Sequence, residues 1–335
     1  MTVRVGIIGA GSIGTTHAHN LAGAVAGSTV SAIYDVDDDN AATLATALEC
    51  RVAPSLDDLI VDDHVDAVVI ASPDGLHPGH ALACLAASKP TLCEKPLAPQ
   101  LADAQRVLDA EVATGERLIT MGFMRRFDPG YVALKDAVGS GEIGSPLMVH
   151  NVHRNAFFAY ELTTAGTVTN AAIHEIDINR WLLDDEYVRV QVIMGRTTSG
   201  VPEGQRDPLF ILFETEGGVV VDIETFMTAR YGYEVTCQVV ASNGVCDMGD
   251  GGYITRTTEG VRGQAIPPQW LGRFNDSYRI EMQAWIDSIR GRTGPVGASL
   301  WDGYAATHAA AAAVESLGSE RWVDIDLPER PGLYA

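Results

Sequence analysis

Six residues, Gly9-Ala10-Gly11-Ser12-Ile13-Gly14, constrain this chain more than any others. They follow Val3–Ile8, a short β-branched run that reads as a strand, and they open a helical stretch from about Ile13 to Ala26. G-x-G-x-x-G alone is a weak signal in a chain with 34 glycines. Placed between a strand and a helix, it is a dinucleotide turn: Gly9 permits the tight bend, Gly11 lets backbone approach a pyrophosphate, and Gly14 allows close helix–strand packing. The helix N-terminus offers the phosphates N–H donors and a positive dipole end. Asp35 ends a second strand, Val30–Tyr34, about 20 residues beyond Gly14, where a carboxylate accepts from ribose hydroxyls. Asp37, Asp38 and Asp39 follow, and no Lys or Arg stands near to neutralise a 2′-phosphate, which favours NAD over NADP. Acids in this position also suit the first turn of a helix.

The alternation continues through a helix over Asn40–Glu49 and an apolar run, Val65–Ile70, of the kind buried on both faces in a parallel sheet. A helix over His77–Ser88, a strand at Thr91–Cys93, a helix over Leu101–Thr114 and a strand at Arg117–Gly122 come next. Strands separated by helices of this length predict βαβ units with right-handed crossovers. The pattern then changes. A helix over Gly130–Val138, a strand at Leu147–His153 and a helix over Ala172–Leu183 lead into strand-like stretches at Val188–Arg196, Leu209–Glu214, Val219–Met227 and Tyr233–Val240, with shorter ones to Thr257. Gly217-Gly218 and Asn243-Gly244 are hairpin signals between them. Helices over Asn275–Arg290 and Trp301–Leu317 close the chain. The expectation is an α/β Rossmann domain with a parallel sheet over residues 1–123. An α+β domain with a large open, mostly antiparallel sheet follows over 124–335, a division that 335 residues accommodate.

Lys and Arg total 23 against 44 Asp and Glu, a net charge of −21. Such a chain is repelled by phosphate backbones and anionic lipid surfaces, so neither nucleic acid nor membrane is an expected partner. With 46% hydrophobic and 20% charged residues it is not a disordered chain, and no apolar run approaches the roughly 20 residues of a membrane span. The N-terminus reads directly as structure, without a charged region and cleavage site. The five cysteines are odd in number and lack C-x-x-C spacing, which points to reduced thiols in a cytoplasmic protein and to no metal site.

Two further segments carry chemistry. Cys93-Glu94-Lys95-Pro96 stands at the C-terminal end of a parallel strand, where open α/β sheets bind ligands. The lysine charge there needs a partner, and Glu94 and the fixed backbone at Pro96 would place it. The second segment is Asn170-Ala171-Ala172-Ile173-His174-Glu175-Ile176-Asp177-Ile178-Asn179-Arg180-Trp181. Helical spacing puts Asn170, His174 and Asp177 on one face, with Ile173, Ile176 and Trp181 as anchors in the core. Histidine is a proton acceptor near neutral pH, but a single one on a half-apolar helix is more often structural, and spacing alone does not assign it.

With the Gly-rich turn, E-K-P and H-E-I-D in this order, the whole chain resembles the glucose–fructose oxidoreductase/inositol dehydrogenase (Gfo/Idh/MocA) family. Its inositol dehydrogenase branch is suggested by Gly122-Phe123-Met124-Arg125-Arg126-Phe127-Asp128, His153-Arg154-Asn155, His174-Glu175-Ile176-Asp177, Tyr231-Gly232-Tyr233 and Trp301-Asp302-Gly303-Tyr304. The resemblance implies NAD-dependent oxidation of a secondary hydroxyl of a cyclic polyol or sugar, an inositol above all. It makes Lys95 a catalytic lysine and His174 the proton-transferring histidine, and it suggests substrate contacts from Met124, Arg125, Asn155, Asp177 and Tyr233. The cofactor set is Gly9, Gly11, Ser12, Ile13, Gly14, Asp35, Ser72, His77, Glu94 and Lys95. Family members commonly form tetramers through the outer face of the second-domain sheet, so a homotetramer, or else a dimer, is expected.

The chain departs from this pattern at one position: Asn170 stands where inositol dehydrogenases place an aspartate, four residues before the histidine. An amide can orient His174 but cannot stabilise an imidazolium, which adds Asn170 to the catalytic candidates. Three consequences are open: Asp177 carries the missing charge, the substrate is another sugar or amino sugar, or catalysis is weakened as far as an NAD-binding sensor.

Overall fold

A computed structural model describes residues 2–157, 163–249, 255–291, 293–319 and 321–335. The chain forms two compact units, each assembled from separated segments. The first unit comprises residues 1–127, 276–307 and 328–335, and the second residues 128–275 and 308–327. The first change of unit falls at 127/128, beside the division expected at 123/124, and the chain returns to the first unit twice.

The first unit holds a seven-stranded sheet. Its strands are β1 (Val3–Ile8), β2 (Ser28–Tyr34), β3 (Arg51–Val52), β4 (Ala67–Ile70), β5 (Thr91–Glu94) and β6 (Ile119–Gly122), all parallel, with β15 (Ala298–Ser299) antiparallel to β6 at one edge. The order is β15-β6-β5-β4-β1-β2-β3. Strand order therefore reverses between β1 and β4, the switch point at which doubly wound sheets bind ligands. Helices α1 (Ser12–His19), α2 (Asp38–Ala47), α3 (Leu56–Val61), α4 (His77–Ala86) and α5 (Leu101–Thr114) connect the strands. The helix expected to run to Ala26 instead passes into a π turn over Asn20–Ala24. β3 and α3 were not expected: one is a two-residue exposed edge, the other little more than a turn whose start is capped by Ser55. Val3, Val5, Ile7, Ile33, Val69 and Leu92 form one core with Trp285 and Ile286, which come from a helix nearly 200 residues later in the chain.

The second unit is built on α6 (Pro129–Gly139), α7 (Thr164–Gly166), α8 (Ile173–Leu183) and a second seven-stranded sheet. Its strands are β7 (Pro146–Arg154), β8 (Tyr187–Met194), β9 (Leu209–Thr215), β10 (Val220–Phe226), β11 (Glu234–Ala241), β12 (Gly244–Asp247) and β16 (Val323–Asp324), in the order β12-β11-β7-β10-β9-β8-β16. Only β7 and β10 pair in parallel, so the sheet is mostly antiparallel, as expected. The Gly217-Gly218 and Asn243-Gly244 turns join the β9–β10 and β11–β12 hairpins. Strand residues alternate buried with half-exposed, which leaves one face of the sheet covered and the other open. A separate ribbon pairs β13 (Thr255–Thr258) with β14 (Val261–Gln264). The long helices α9 (Trp270–Gly291) and α10 (Leu300–Ser319) each carry the chain from one unit into the other.

Candidate active site

In the first unit the glycines do what their spacing predicts. Gly9 has φ +100°, and a Cβ there would press on the Ala71 carbonyl; a Cβ on Gly14 would collide with the Gly9 carbonyl oxygen. Gly11 meets nothing within 4 Å, so the space beside it is open to a ligand, and as the N-cap of α1 it leaves the helix start without a side-chain cap. Ser12 is exposed and Ile13 half-buried at this end. Asp35 closes the loop: Oδ2 accepts from Ala10 N–H at 2.5 Å and Oδ1 from Asp37 N–H at 2.8 Å. A carboxylate has further lone pairs for ribose hydroxyls. The following acids divide by role, with Asp37 capping α2 and Asp38 and Asp39 in its first turn. These residues fit a dinucleotide.

The other candidates at the strand ends brace one another. His77 is buried, its Nδ1 2.8 Å from the Pro96 carbonyl and its Nε2 2.8 Å from the Ser72 carbonyl. Both ring nitrogens are thus taken up by the chain, and His77 ties Ser72 to the E-K-P turn rather than offering a spare polar atom. The Ser72 hydroxyl lies 3.0 Å from His80 Nδ1. Glu94 is held in the same way: Oε1 lies 2.7 Å from His17 Nε2, and Oε2 accepts from Lys95 N–H at 3.2 Å. Gly122 leaves room for it, since a Cβ there would stand 3.0 Å from the Glu94 carboxyl carbon. Glu94 therefore places Lys95, which is half-buried just past β5. His17 was missed by sequence reasoning. Its only signal is a histidine on the inner face of α1, and its partner lies 77 residues away.

Met124 and Arg125 are buried in a 3₁₀ turn, Met124–Phe127, directly after β6. Arg126 pairs with Asp302 at 3.1 Å, and Asp302 also accepts from Ser299 N–H at the start of α10. Gly303 lets α10 approach Met121, so Trp301-Asp302-Gly303-Tyr304 is explained within the first unit by capping and packing.

In the second unit a π turn, Thr167–Ala172, runs into α8, and Ala171–Arg180 is buried without interruption. His174, Glu175, Asp177, Asn179 and Arg180 are all buried polar groups here, a concentration that marks a site or a paired network. The face shared by His174 and Asp177 holds, because both are in α8. Asn170 lies in the π turn, where bonding is i→i+5, and that turn runs directly into the first residues of α8. Ile173 and Ile176 anchor the helix as expected, whereas Trp181 is only half-buried, beneath the Lys135 ammonium at 5.6 Å. Behind His174, Glu175 Oε2 lies 3.0 Å from His153 Nδ1, both fully buried. The His153 ring meets the edge of Tyr233 at 5.7 Å, and Tyr233 meets Phe274 at 6.2 Å. Asn155 follows β7; its Nδ2 donates to Met227 Sδ at 3.6 Å, and its buried Oδ1 has no partner among the described residues. That amide oxygen is an acceptor for a donor from outside, such as a hydroxyl. Among the described residues no group of three or more His, Cys, Asp or Glu could hold a metal ion, and no helix is long and apolar enough to cross a membrane.

A nucleotide turn at the switch point of a doubly wound sheet, with a lysine one strand away and a second unit of mostly antiparallel sheet, defines a nicotinamide-dependent oxidoreductase. Residues 3–123 match the Gfo/Idh/MocA oxidoreductase family, NAD-binding Rossmann fold, and residues 135–325 its C-terminal alpha/beta domain; the chain belongs to this family. It is 44% identical to inositol 2-dehydrogenase 3 of Saccharopolyspora erythraea over 335 residues, covering all of this chain and 98% of that one. It is 40% identical to inositol 2-dehydrogenase of Pseudomonas fluorescens over 337 residues, covering 100% of both chains. Among solved structures, it matches myo-inositol dehydrogenase from Lactobacillus casei in complex with NAD(H) and myo-inositol, with a TM-score of 0.97, 35% identity and full coverage of both chains.

Proposed function

We propose that this protein oxidises a secondary hydroxyl of a cyclic polyol with NAD, and that its substrate is an inositol oxidised at position 2. The observation that carries this is the full-length likeness, TM-score 0.97, to a myo-inositol dehydrogenase in complex with NAD(H) and myo-inositol. When bound, NAD supplies the hydride acceptor. The chain's own residues supply orientation and proton transfer. Gly9, Gly11, Ser12, Ile13 and Gly14 cradle the pyrophosphate, and Asp35 accepts from the ribose. Lys95, fixed through Glu94, holds and polarises the reacting oxygen, and His174 accepts the hydroxyl proton with Asn170 orienting its ring. Met124, Arg125, Asn155, Asp177 and Tyr233 contact the substrate; the unpartnered Oδ1 of Asn155 supports this role, since a polyol hydroxyl would satisfy it.

Reduction of NAD, followed by absorbance across a panel of inositols, pyranoses and amino sugars, tests the reading. Turnover with myo-inositol is expected. Saturable NAD binding without turnover of any polyol would reject it.

A cytoplasmic homotetramer is the form we propose for the working enzyme. Its support is the open face of the second sheet, where Met148, Ile193, Phe210 and Val220 are each between 38% and 43% exposed. Sedimentation equilibrium would reject it by returning the mass of a single chain.

A further inference from the structure

We propose that Asp207 is a positioning residue for the substrate side of the site, an inference that rests on the polyol dehydrogenase reading above. Asp207 is 4% exposed, and no ion pair reaches it among the described residues. Its carboxylate is held by hydrogen bonds alone. Oδ1 accepts from Met227 N–H at 2.9 Å, and Oδ2 accepts from Thr228 N–H at 2.9 Å and the Thr228 hydroxyl at 2.5 Å. An apolar side chain would fill this space without the cost of desolvating a carboxylate, but it could not hold three donors in register.

The segment so pinned is the one that frames Asn155. Asn155 N–H donates to the Phe226 carbonyl at 2.9 Å, Ala229 N–H donates to the Asn155 carbonyl at 2.8 Å, and the Asn155 amide touches Met227 Sδ. Four residues further on, after Gly232 at φ +154°, the same segment delivers Tyr233, whose N–H donates to the Pro267 carbonyl at 2.7 Å. The residues just before Asp207 reach the other candidate segment. Gln205 Oε1 accepts from Thr164 N–H at 2.5 Å and from its hydroxyl at 2.9 Å, and Arg206 N–H donates to Thr164 Oγ1 at 2.8 Å. Thr164 begins the short helix that leads into the π turn bearing Asn170. Gln205-Arg206-Asp207 thus clasps the Asn170 turn to the Asn155–Tyr233 loop, and Asp207 is the end of the clasp that touches the substrate loop.

The test is steady-state kinetics on the full chain with myo-inositol and NAD, comparing native protein with Asp207→Asn, Thr228→Val and Thr228→Ser. An amide presents an NH₂ where the backbone donors need an acceptor, so Asp207→Asn should shift the loop. A misplacement of about 1 Å costs on the order of 10²-fold in a positioned reaction. The kcat/KM for myo-inositol is expected to fall roughly 10- to 100-fold, with the KM for NAD changing less than about twofold. Thr228→Val removes one donor and should move the same ratio less; Thr228→Ser keeps the donor and should lie closer to native. If Asp207→Asn does not fold, Thr228→Val carries the test. Unchanged kcat/KM for myo-inositol in the folded variants, or a rise in the KM for NAD of the same size as the fall for myo-inositol, would overturn the role of Asp207 alone. A native protein that oxidises no polyol would overturn both this role and the function it rests on.

Discussion

His17 Nε2 lies 2.7 Å from Glu94 Oε1 in the interior of the first unit, and the other oxygen of that carboxylate accepts from Lys95 N–H. A histidine on the first helix therefore sets the lysine turn after β5. Removing the ring in His17→Ala leaves a buried carboxylate short of its donor. It should destabilise the protein by about 3 kcal/mol, read from urea unfolding, and lower kcat more than it changes the KM for NAD. His17→Gln, which keeps an N–H donor, should recover part of both.

Asp35 should set the preference for NAD. Its carboxylate sits on Ala10 N–H with Asp37 beside it, so a 2′-phosphate would face like charge. Native protein is expected to use NAD with a kcat/KM at least roughly tenfold above that for NADP, and Asp35→Ser should narrow the ratio. Equal efficiency with both cofactors in the native protein would reject this.

Lys95→Ala and His174→Ala should each leave NAD affinity nearly intact, as measured by fluorescence titration. Turnover should fall by about 10²–10⁴-fold where the proton-transfer group is lost. Unchanged turnover in His174→Ala would return that residue to a structural role in α8.

Asn170→Asp adds a carboxylate in the turn that leads to His174. A neighbouring negative charge favours the protonated ring, and a general base must be neutral to act, so the acid limb of the kcat/KM profile should move to higher pH. If Asn170 instead binds a substrate other than myo-inositol, the variant should lose activity on that substrate. A superimposable profile with unaltered specificity would show that Asn170 does neither.

Glu111 and Tyr334 join α5 to the end of the chain, the phenol donating to Oε2 at 2.5 Å while Oε1 accepts from Leu118 and Ile119 N–H at 2.8 and 2.6 Å. Burial pushes the Glu111 carboxyl above its ordinary range, and the hydrogen bonds from Tyr334, Ile119 and Leu118 offset part of that. The folded protein then keeps this proton at pH values where the unfolded chain has released it. Stability contributed here is fully present below the ordinary glutamate pKa and declines as pH rises through the raised one. Tyr334→Phe removes a donor that favours the charged form, so it should raise that pKa further and deepen the decline. Urea melts between about pH 4 and 7 would show it.

Much of the fold and part of the site could be read along the chain. The turn at Gly9–Gly14, the strands Val3–Ile8, Ser28–Tyr34, Ala67–Ile70 and Thr91–Glu94, the helices α2, α4 and α5 and the hairpins at Gly217-Gly218 and Asn243-Gly244 rest on preferences expressed within a few residues. Lys95 at a strand end and His174 on a helix with buried Ile173 and Ile176 were visible for the same reason. The π turn that bears Asn170 was not visible, because the switch from i→i+4 to i→i+5 bonding leaves no local mark in Thr167–Ala172. Nor could the sequence pair His17 with Glu94, Glu175 with His153, Tyr334 with Glu111 or Asp207 with Thr228. Each of these joins groups between 21 and 223 residues apart, and a buried polar side chain takes whichever partner the closed chain brings within hydrogen-bond reach. Local chemistry determined which elements form and which residue types could react; only tertiary closure decided which carboxylate holds which donor, and so where the reactive groups stand.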